Sequence, residues 1–210
     1  MDRALKSGLV DFETLQIRAF SEDKHRKVDD TPYGGGPGML LRADVLYRAW
    51  EAARSKVGDA PVRTVLLSPQ GPKLTHATAE RLAQIPNLIL ICGHYEGVDE
   101  RFIEAAVDEQ VSIGDYVVSN GELPALILAD AVARAIPGFT GNSESFSRDS
   151  LADGFLKYPQ YTKPRQFRDR AVPEILLSGD HGAIEKWRRE ESRKRTVERR
   201  PDLLAKDLRK

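Results

Sequence analysis

Residues 87–99, with the sequence NLILICGHYEGVD, consist of an apolar run that ends in a loop with two glycines. The same arrangement occurs on both sides of it, at residues 66–72 (LLSPQGP) and at residues 111–124 (VSIGDYVVSNGELP). Short apolar runs bounded by glycine and proline are typical of buried strands. Ligands of open α/β sheets bind at the carboxyl ends of the strands, so we expect the three loops to form one composite pocket.

Outward from these loops, strand and helix patterns alternate. Strands are predicted at residues 62–67 and 87–92, and a strand pair or bent strand at residues 111–118. Helices are predicted at residues 75–85 behind a capping Thr75, at residues 98–107, and at residues 122–136 with Pro124 near the first turn. This alternation predicts an α/β fold in which a mostly parallel sheet carries helices on both faces.

The chain before residue 62 is predicted to add a strand, a loop and a helix. Residues 12–20 (FETLQIRAF) have a strand pattern, whereas residues 22–39 show no hydrophobic period and indicate a long loop. Apolar side chains then recur at helical spacing over residues 44–56, which predicts an amphipathic helix capped by Asp44.

Composition changes after residue 136. Residues 137–153 are small, polar and poor in aliphatic side chains, which is typical of a linker. Helices are predicted behind Asp180 and after Pro201. We therefore predict three parts: a large domain over residues 1–140, a flexible linker over 141–156, and a small helical domain over 157–210.

Charge is segregated along the chain although the net charge is zero. Residues 1–156 carry 16 basic and 23 acidic side chains, whereas residues 157–210 carry 16 basic and 9 acidic ones. A basic module of this kind suits a polyanion such as RNA, and surface helices that merely interact with solvent would give the same count.

Several classes of protein are disfavoured by composition. No apolar run is long enough to span a membrane, and the first residues lack the long apolar core of a secretory signal, so we expect a cytoplasmic protein. The single cysteine, Cys92, lies in an apolar run and is interpreted as a buried structural thiol. The four histidines stand far apart without a partner at ligand spacing, so no metal site is predicted.

The glycine-rich segment PYGGGPGM (residues 32–39) invites comparison with phosphate-binding loops. It lacks the Gly-Lys-Ser/Thr ending of a nucleotide hydrolase, because Met39 and Leu40 follow the glycines. Two interpretations remain, a flexible loop that approaches a nucleic acid and a tight turn. The carboxylates of Glu96 and Asp99 likewise suit either ligand hydrogen bonds or helix capping.

Taken together, the motifs closely resemble those of one family. They are, in order, EDKHRKVDDTPYGGGPGM, LSPQGP, GHYEGVDER, SIGDYV, GELPA, YTKPRQF and PEILLSGDHGAIEKWR. Nearly the whole chain therefore resembles the bacterial tRNA (guanine-N1)-methyltransferases, members of the knotted (SPOUT) methyltransferase superfamily. The resemblance implies a trefoil knot, S-adenosyl-L-methionine as methyl donor, guanosine 37 beside the tRNA anticodon as acceptor, and a homodimer with its active site at the subunit interface.

The resemblance also implies roles for individual residues. Asp149 is expected to be the general base, and Arg134 to engage the guanine. Cofactor contacts are expected at Pro69, Gly71, Gly93, Tyr95, Glu96, Ser112, Ile113, Gly114, Asp115, Tyr116, Val117, Val118, Gly121 and Pro124. tRNA contacts are expected at Gly35, Gly36, Ser150, Lys163, Arg165, Arg188, Arg193, Lys194 and Arg195. Assistance by Mg²⁺ is left open.

The chain departs from the family pattern in two places. Family members normally begin earlier, with a strand that has no counterpart here, so the first strand is expected to be missing. Asn120 stands where the family often has glycine, and we expect the loop shape to survive because asparagine tolerates left-handed geometry. The alternative interpretation is a truncated, catalytically silent tRNA-binding protein.

Overall fold

The structure is a computed structural model that describes residues 1–139 and 149–204. The described residues form two compact units, one on each side of residues 140–148. Part of the predicted linker, residues 141–148, lies outside the described residues. No helix in the described ranges is long and apolar enough to cross a lipid bilayer.

The first unit contains five strands and five helices among its described residues. The strands are β1 (Asp29–Asp30), β2 (Leu40–Leu41), β3 (Val62–Leu67), β4 (Asn87–Cys92) and β5 (Glu109–Val111). The helices are α1 (Asp2–Lys6), α2 (Ala43–Val57), α3 (His76–Ala83), α4 (Glu100–Ala106) and α5 (Glu122–Ala135). A 3-10 helix covers Ile17–Phe20.

The central sheet is parallel and has the order β4-β3-β5. Strand β3 pairs with β4 over its full length, from Val62 opposite Asn87 to Leu67 opposite Cys92. On its other side β3 pairs with β5 through Val65 to Leu67 only. All three strands therefore end at the same edge of the sheet, as the sequence predicted.

Helices cover both faces of this sheet. On one face Val65 and Leu67 of β3 pack with buried residues of α3 and α5, such as Leu82 and Leu128. On the other face Ile91 of β4 packs with a second cluster built from α2, α4 and the 3-10 helix. Because side chains of a strand alternate between faces, the continuous apolar runs of β3 and β4 are explained by burial on both sides.

Three sequence-based predictions about the first unit were wrong. Residues 12–20 form no strand; the apolar Ile17 and Phe20 instead pack against the α2 cluster from a 3-10 helix. The predicted strand at 111–118 stops at Val111, and exposed turns follow it. Helix α2 is capped by Arg42 rather than Asp44, which lies in the first turn and binds Arg42 and Arg48.

The second unit is a small assembly around one long helix. Strands β6 (Gln166–Phe167) and β7 (Arg170–Ala171) form an antiparallel hairpin, followed by a 3-10 helix at Glu174–Leu177, α6 (His181–Arg199) and α7 (Pro201–Leu204). As predicted, Asp180 caps α6, accepting a hydrogen bond from the Ala183 amide at 3.0 Å. The fully buried Thr196 anchors the preceding chain because its hydroxyl accepts a hydrogen bond from the Leu156 amide at 2.9 Å.

Candidate functional site

The loop after β3 is fixed to the end of β5 by backbone hydrogen bonds. The Ser68 amide donates to the Val111 carbonyl at 3.0 Å, and the Ser112 amide donates to the Pro72 carbonyl at 3.0 Å. A side chain on Gly71 would lie 2.5 Å from the Gln110 carbonyl carbon, so only glycine fits this close approach. Of the expected cofactor residues, Pro69 is exposed at the tip of the loop, whereas Ser112 is buried.

The loop after β4 is joined to the glycine-rich segment. The Glu96 amide donates to the Met39 carbonyl at 3.0 Å, and the Leu41 amide donates to the Gly97 carbonyl at 2.9 Å. Tyr95 has φ of +59°, a conformation that non-glycine residues adopt at a cost, and its ring is exposed. The structure thereby brings Gly93, Tyr95 and Glu96 next to the segment that contains Gly35 and Gly36.

The loop after β5 leads into α5 and meets the β4 loop there. The Gly121 amide donates to the Gly93 carbonyl at 2.7 Å. A Cβ on Gly121 would lie 2.5 Å from the Gly93 nitrogen and 2.6 Å from the Cys92 Cα, so the two backbones are in direct contact. Beside this contact, His94 Nε2 lies 2.5 Å from Glu122 Oε1. The ends of β4 and β5 are therefore adjacent, which is what the composite pocket predicted from the three loops requires.

Within the β5 loop, the expected cofactor residues differ in exposure. The Ser112 hydroxyl donates to the Gly114 carbonyl at 2.9 Å and accepts from the Gly114 amide at 3.2 Å, which shapes the turn. Asp115 forms an ion pair with Lys73 of the β3 loop. Tyr116, Val117 and Val118 are exposed, and Pro124 is buried in the first turn of α5.

An open groove of about 610 Å³ runs from the β5 loop along α5. Its walls include Ile113, Tyr116 and Val118, and its far end carries Asp130 and Arg134. The remaining lining is apolar and comes from the outer face of α5: Leu123, Leu126, Ile127 and Ala131. The groove thus brings Arg134, the expected guanine-binding residue, onto the same surface as three expected cofactor residues.

The second unit holds Asp149 and most of the expected tRNA-binding residues. Asp149 Oδ1 lies 3.4 Å from Lys157 Nζ, and the Ser150 hydroxyl accepts a hydrogen bond from the Lys157 amide at 3.0 Å. Lys163, Arg193 and Lys194 are exposed. Two other cations are engaged within the unit: Arg165 binds Glu174 at 2.8 Å, and Arg188 binds Glu185 at 2.5 Å and stacks on Tyr158.

Two titratable groups beside the loops have shifted pKa values. Burial raises the pKa of the Cys92 thiol to about 11, and the nearby Glu122 carboxylate adds to the shift. Hydrogen bonds from Arg101 lower the pKa of Asp99, which caps α4. Of the two roles left open for Asp99, the structure shows helix capping. Cys92 is partly buried against the core, in agreement with a structural thiol.

Sequence reasoning missed the outer face of α5. Leu123, Leu126 and Ile127 are exposed, although they lie at the helical spacing that normally marks a buried face. The buried residues Ala125, Leu128 and Val132 form a second apolar face on the same helix. The sequence signal for this face was the presence of apolar residues on two sides of α5. A surface helix that packs against a core on one side needs only one apolar face.

Comparison with known proteins identifies similar chains. The family described as tRNA (Guanine-1)-methyltransferase TrmD matches residues 1–206. A tRNA (guanine-N(1)-)-methyltransferase of Neisseria meningitidis serogroup B (strain MC58) is 50% identical over 204 residues, covering 97% of this chain and 82% of that protein. A protein of the same name from Chromobacterium violaceum is 52% identical over 205 residues, covering 96% and 80% of the two chains. A third, from Desulforamulus reducens, is 48% identical over 204 residues.

Cys92 should react slowly with iodoacetamide at pH 8. The rise of its pKa from 9.0 to about 11 lowers the reactive thiolate fraction in the folded chain about a hundredfold relative to an unfolded control in urea. The folded state favours the neutral thiol over the thiolate. The contribution of Cys92 to the free energy of unfolding is therefore fully present below pH 9 and is lost as the pH rises towards 11. Equal labelling rates in native and unfolded protein at pH 8 would contradict the burial of this thiol.

Proposed function

The chain belongs to the tRNA (guanine-1)-methyltransferase TrmD family, and from that membership we propose that it transfers a methyl group from S-adenosyl-L-methionine to N1 of guanosine 37 in tRNA. The observation that carries the proposal is the joining of three strand-end loops into one surface that continues into the groove bearing Arg134. Family membership supplies the reaction, and the placement of Arg134 on this surface supports the roles that we propose for individual residues.

The three loops have the properties required of an S-adenosyl-L-methionine site. A Cβ added at Gly93 or Gly97 would meet nothing closer than 3.8 Å, so a ligand can approach these backbones from that side, and Glu96 offers a carboxylate to amino or hydroxyl groups. Exposed apolar side chains at Tyr95, Tyr116 and Val118 suit the face of a purine. When bound, the cofactor supplies an electrophilic methyl group on its sulfonium. Among the described residues no cluster suited to a metal ion is found, and a role for Mg²⁺ remains a question for experiment.

The acceptor determines what the side chains must do. Guanine N1 carries a proton at neutral pH, so its lone pair becomes available only when a base removes that proton. We assign this step to Asp149, whose carboxylate would take the N1 proton as N1 forms its bond to the methyl carbon. The bond from that carbon to sulfur would break at the same time, with S-adenosylhomocysteine as the leaving group. As the N1 proton leaves and before the new bond is complete, negative charge spreads to O6 of the guanine, where the Arg134 guanidinium at the end of the groove would stabilise it.

The basic second unit is the proposed tRNA-binding surface. Lys163, Arg193 and Lys194 are exposed cations, and contacts of this kind to phosphates supply affinity rather than sequence choice. Among the expected tRNA-binding residues, Arg188 is the least available to phosphate, because it already binds Glu185 and stacks on the Tyr158 ring. The glycines of residues 34–36 have positive φ angles and open space around them, which suits close approach of RNA to the backbone.

A homodimer explains the outer face of α5. Leu123, Leu126 and Ile127 are exposed, and Val117 in the adjoining loop is 84% exposed. Contiguous apolar surface of this kind marks an interaction site in a water-soluble protein, and a two-fold dimer would bury the same patch on both subunits. The groove would then be completed by the partner subunit, which places the proposed active site at the interface.

The alternative, a catalytically silent tRNA-binding protein, is less well supported. Such a protein would need only the basic unit, and its cofactor loops would be free to lose their close-packed glycines. Here Gly71 and Gly121 both occupy positions where a side chain would collide with backbone. This close packing of the loops supports an intact cofactor site rather than a silent one.

Replacing Gly121 with alanine should weaken cofactor binding. The new methyl group would collide with the backbone of Gly93 and Cys92, so the two loops must separate. We expect the Kd for S-adenosylhomocysteine, measured by calorimetry without RNA, to rise at least about tenfold. The control is Gly182→Ala in α6, where the nearest atom is 3.4 Å away and the Kd should not change. Equal affinities for the two variants would refute the proposed cofactor site.

Asp149→Asn should greatly slow methyl transfer while leaving the cofactor site intact. Loss of a general base lowers the rate constant by about 10²–10⁴-fold, measured in single turnover with saturating unmodified tRNA. The matched control is Asp153→Asn, another carboxylate of the same segment, which accepts a hydrogen bond from the Phe155 amide. Transcripts with adenosine at position 37 should accept no methyl group. A normal rate for the Asp149 variant would remove this residue from the mechanism.

Leu126→Asp should convert the dimer into monomers. The residue is 54% exposed on the outer face of α5, and a dimer interface there would bury an unpaired carboxylate. Sedimentation velocity should show a dimer for the wild type and a monomer for the variant. Val197→Asp, at a position 51% exposed on α6, is the control and should remain dimeric. A wild-type monomer, or a variant that stays dimeric, would show that this face has another role.

A further inference from the structure

The hairpin formed by β6 and β7 projects from the second unit. Phe167 pairs with Arg170, and Gln166 pairs with Ala171, which leaves Arg168 and Asp169 as a two-residue turn. The Val172 amide donates to the Arg165 carbonyl at 2.9 Å and closes the base of the hairpin. Every residue from 161 to 171 is exposed, so no other described part of the chain covers it. A lone two-stranded hairpin is marginally stable in water, so this one would gain stability from a partner that packs on it.

The tip of the hairpin carries an aromatic ring and cations. Phe167 is 64% exposed, and the Arg168 guanidinium lies 5.4 Å from the centre of its ring. Arg165 is neutralised by Glu174 at the base of the hairpin. Arg168 and Arg170, by contrast, form no ion pair with a carboxylate in residues 1–139 or 149–204. With the two cations set against the single carboxylate of Asp169, the tip therefore offers an apolar flat surface together with a net positive charge.

Backbone geometry at the tip points to a requirement for the arginine side chain. Arg168 has φ of +53°, in the left-handed region that glycine adopts without cost and that other residues rarely enter. Residues with strained backbone conformations occur preferentially at sites that bind ligands, where the side chain is needed for the contact. Glycine would adopt this turn conformation at lower cost. Only a long cationic side chain such as that of arginine, however, extends beyond the Phe167 ring to a ligand.

We propose that this hairpin binds an unpaired nucleobase of the tRNA: Phe167 stacks on the base, and Arg168 and Arg170 contact the phosphates on either side of it. An exposed aromatic ring flanked by arginines is the usual platform for unpaired bases, because every base has a π face and every nucleotide carries a phosphate. The inference rests on the proposed function for the identity of the RNA. It adds to that function a stacking contact outside the cofactor loops and outside the groove.

The first test measures direct binding of unmodified tRNA, without cofactor, to the full chain. Phe167→Leu keeps apolar bulk but removes the flat ring, and its Kd should rise about tenfold, which corresponds to one lost base stack. Phe167→Trp should bind within about twofold of the wild type. The control is Val197→Ala, an exposed apolar position on α6, which should bind normally. If Phe167→Leu binds tRNA as tightly as the wild type, the proposal is wrong.

The second test separates stacking from phosphate contacts and from folding. Phe167→Leu should leave the slope of log K against log salt unchanged, whereas Arg170→Gln should reduce it by about one. Arg168→Gly relieves the left-handed strain, so its melting temperature should not fall although its tRNA affinity does. Wild-type affinity in Arg168→Gly, or a loss confined to a variant that has unfolded, would overturn the role of the tip.

A fully paired RNA duplex of matched length identifies the ligand. It offers phosphates but no unpaired base, so wild type and Phe167→Leu should bind it equally. An equal loss of duplex binding would mean that Phe167 contacts the RNA backbone, against the proposal. Because these measurements need no methyl transfer, they also distinguish two failures. A chain that binds tRNA through the hairpin but transfers no methyl group would refute the proposed function and leave this inference standing.

Discussion

The contact between Gly121 and Gly93 is the constraint on which the rest of the first unit depends. One hydrogen bond of 2.7 Å joins the end of β4 to the start of α5, and the gap between the two backbones is too small for a Cβ. This contact sets where α5 begins and thereby which of its faces meets the sheet. It also places His94 against Glu122 and holds the β4 loop against the start of α5. A backbone contact of this kind tolerates little displacement, because neither partner has a rotamer to change.

Helix α5 links the core to the proposed chemistry. Its inner face, with Leu128 and Val132, is buried against β3 and α3. Its outer face forms the floor of the groove and ends at Arg134. Burial of its inner apolar face fixes the helix against the sheet. Its outer apolar face is exposed and is available to a partner. Stability, dimerisation and guanine recognition are therefore proposed to rely on one helix, which accounts for the apolar residues on both of its faces.

The second unit has a small core and a mostly polar surface. Its few buried groups are concentrated where α6 meets the preceding chain, around Ile184 and Thr196. Most of its surface is polar or charged, and the hairpin tip stands clear of the other described residues. Such an arrangement suits a module whose affinity comes from charge and stacking rather than from a large apolar interface. Asp149 lies at the start of this unit, next to Lys157, so the proposed base and the proposed RNA surface belong to one body.

The sequence by itself determined the elements whose signals are local. The periodic runs at β3, β4, α3 and α5 and the caps at Thr75 and Asp180 were predictable because each depends on neighbouring residues. Site residues came from the family resemblance, and the structure placed Ile113, Tyr116, Val118 and Arg134 on one groove. Only the tertiary structure decided the rest. Residues 12–20 lack a neighbouring strand to pair with, Val111 ends its strand where pairing with β3 stops, and the outer face of α5 is left without cover. Strand pairing and exposure depend on contacts between residues far apart in the chain, which no local pattern records.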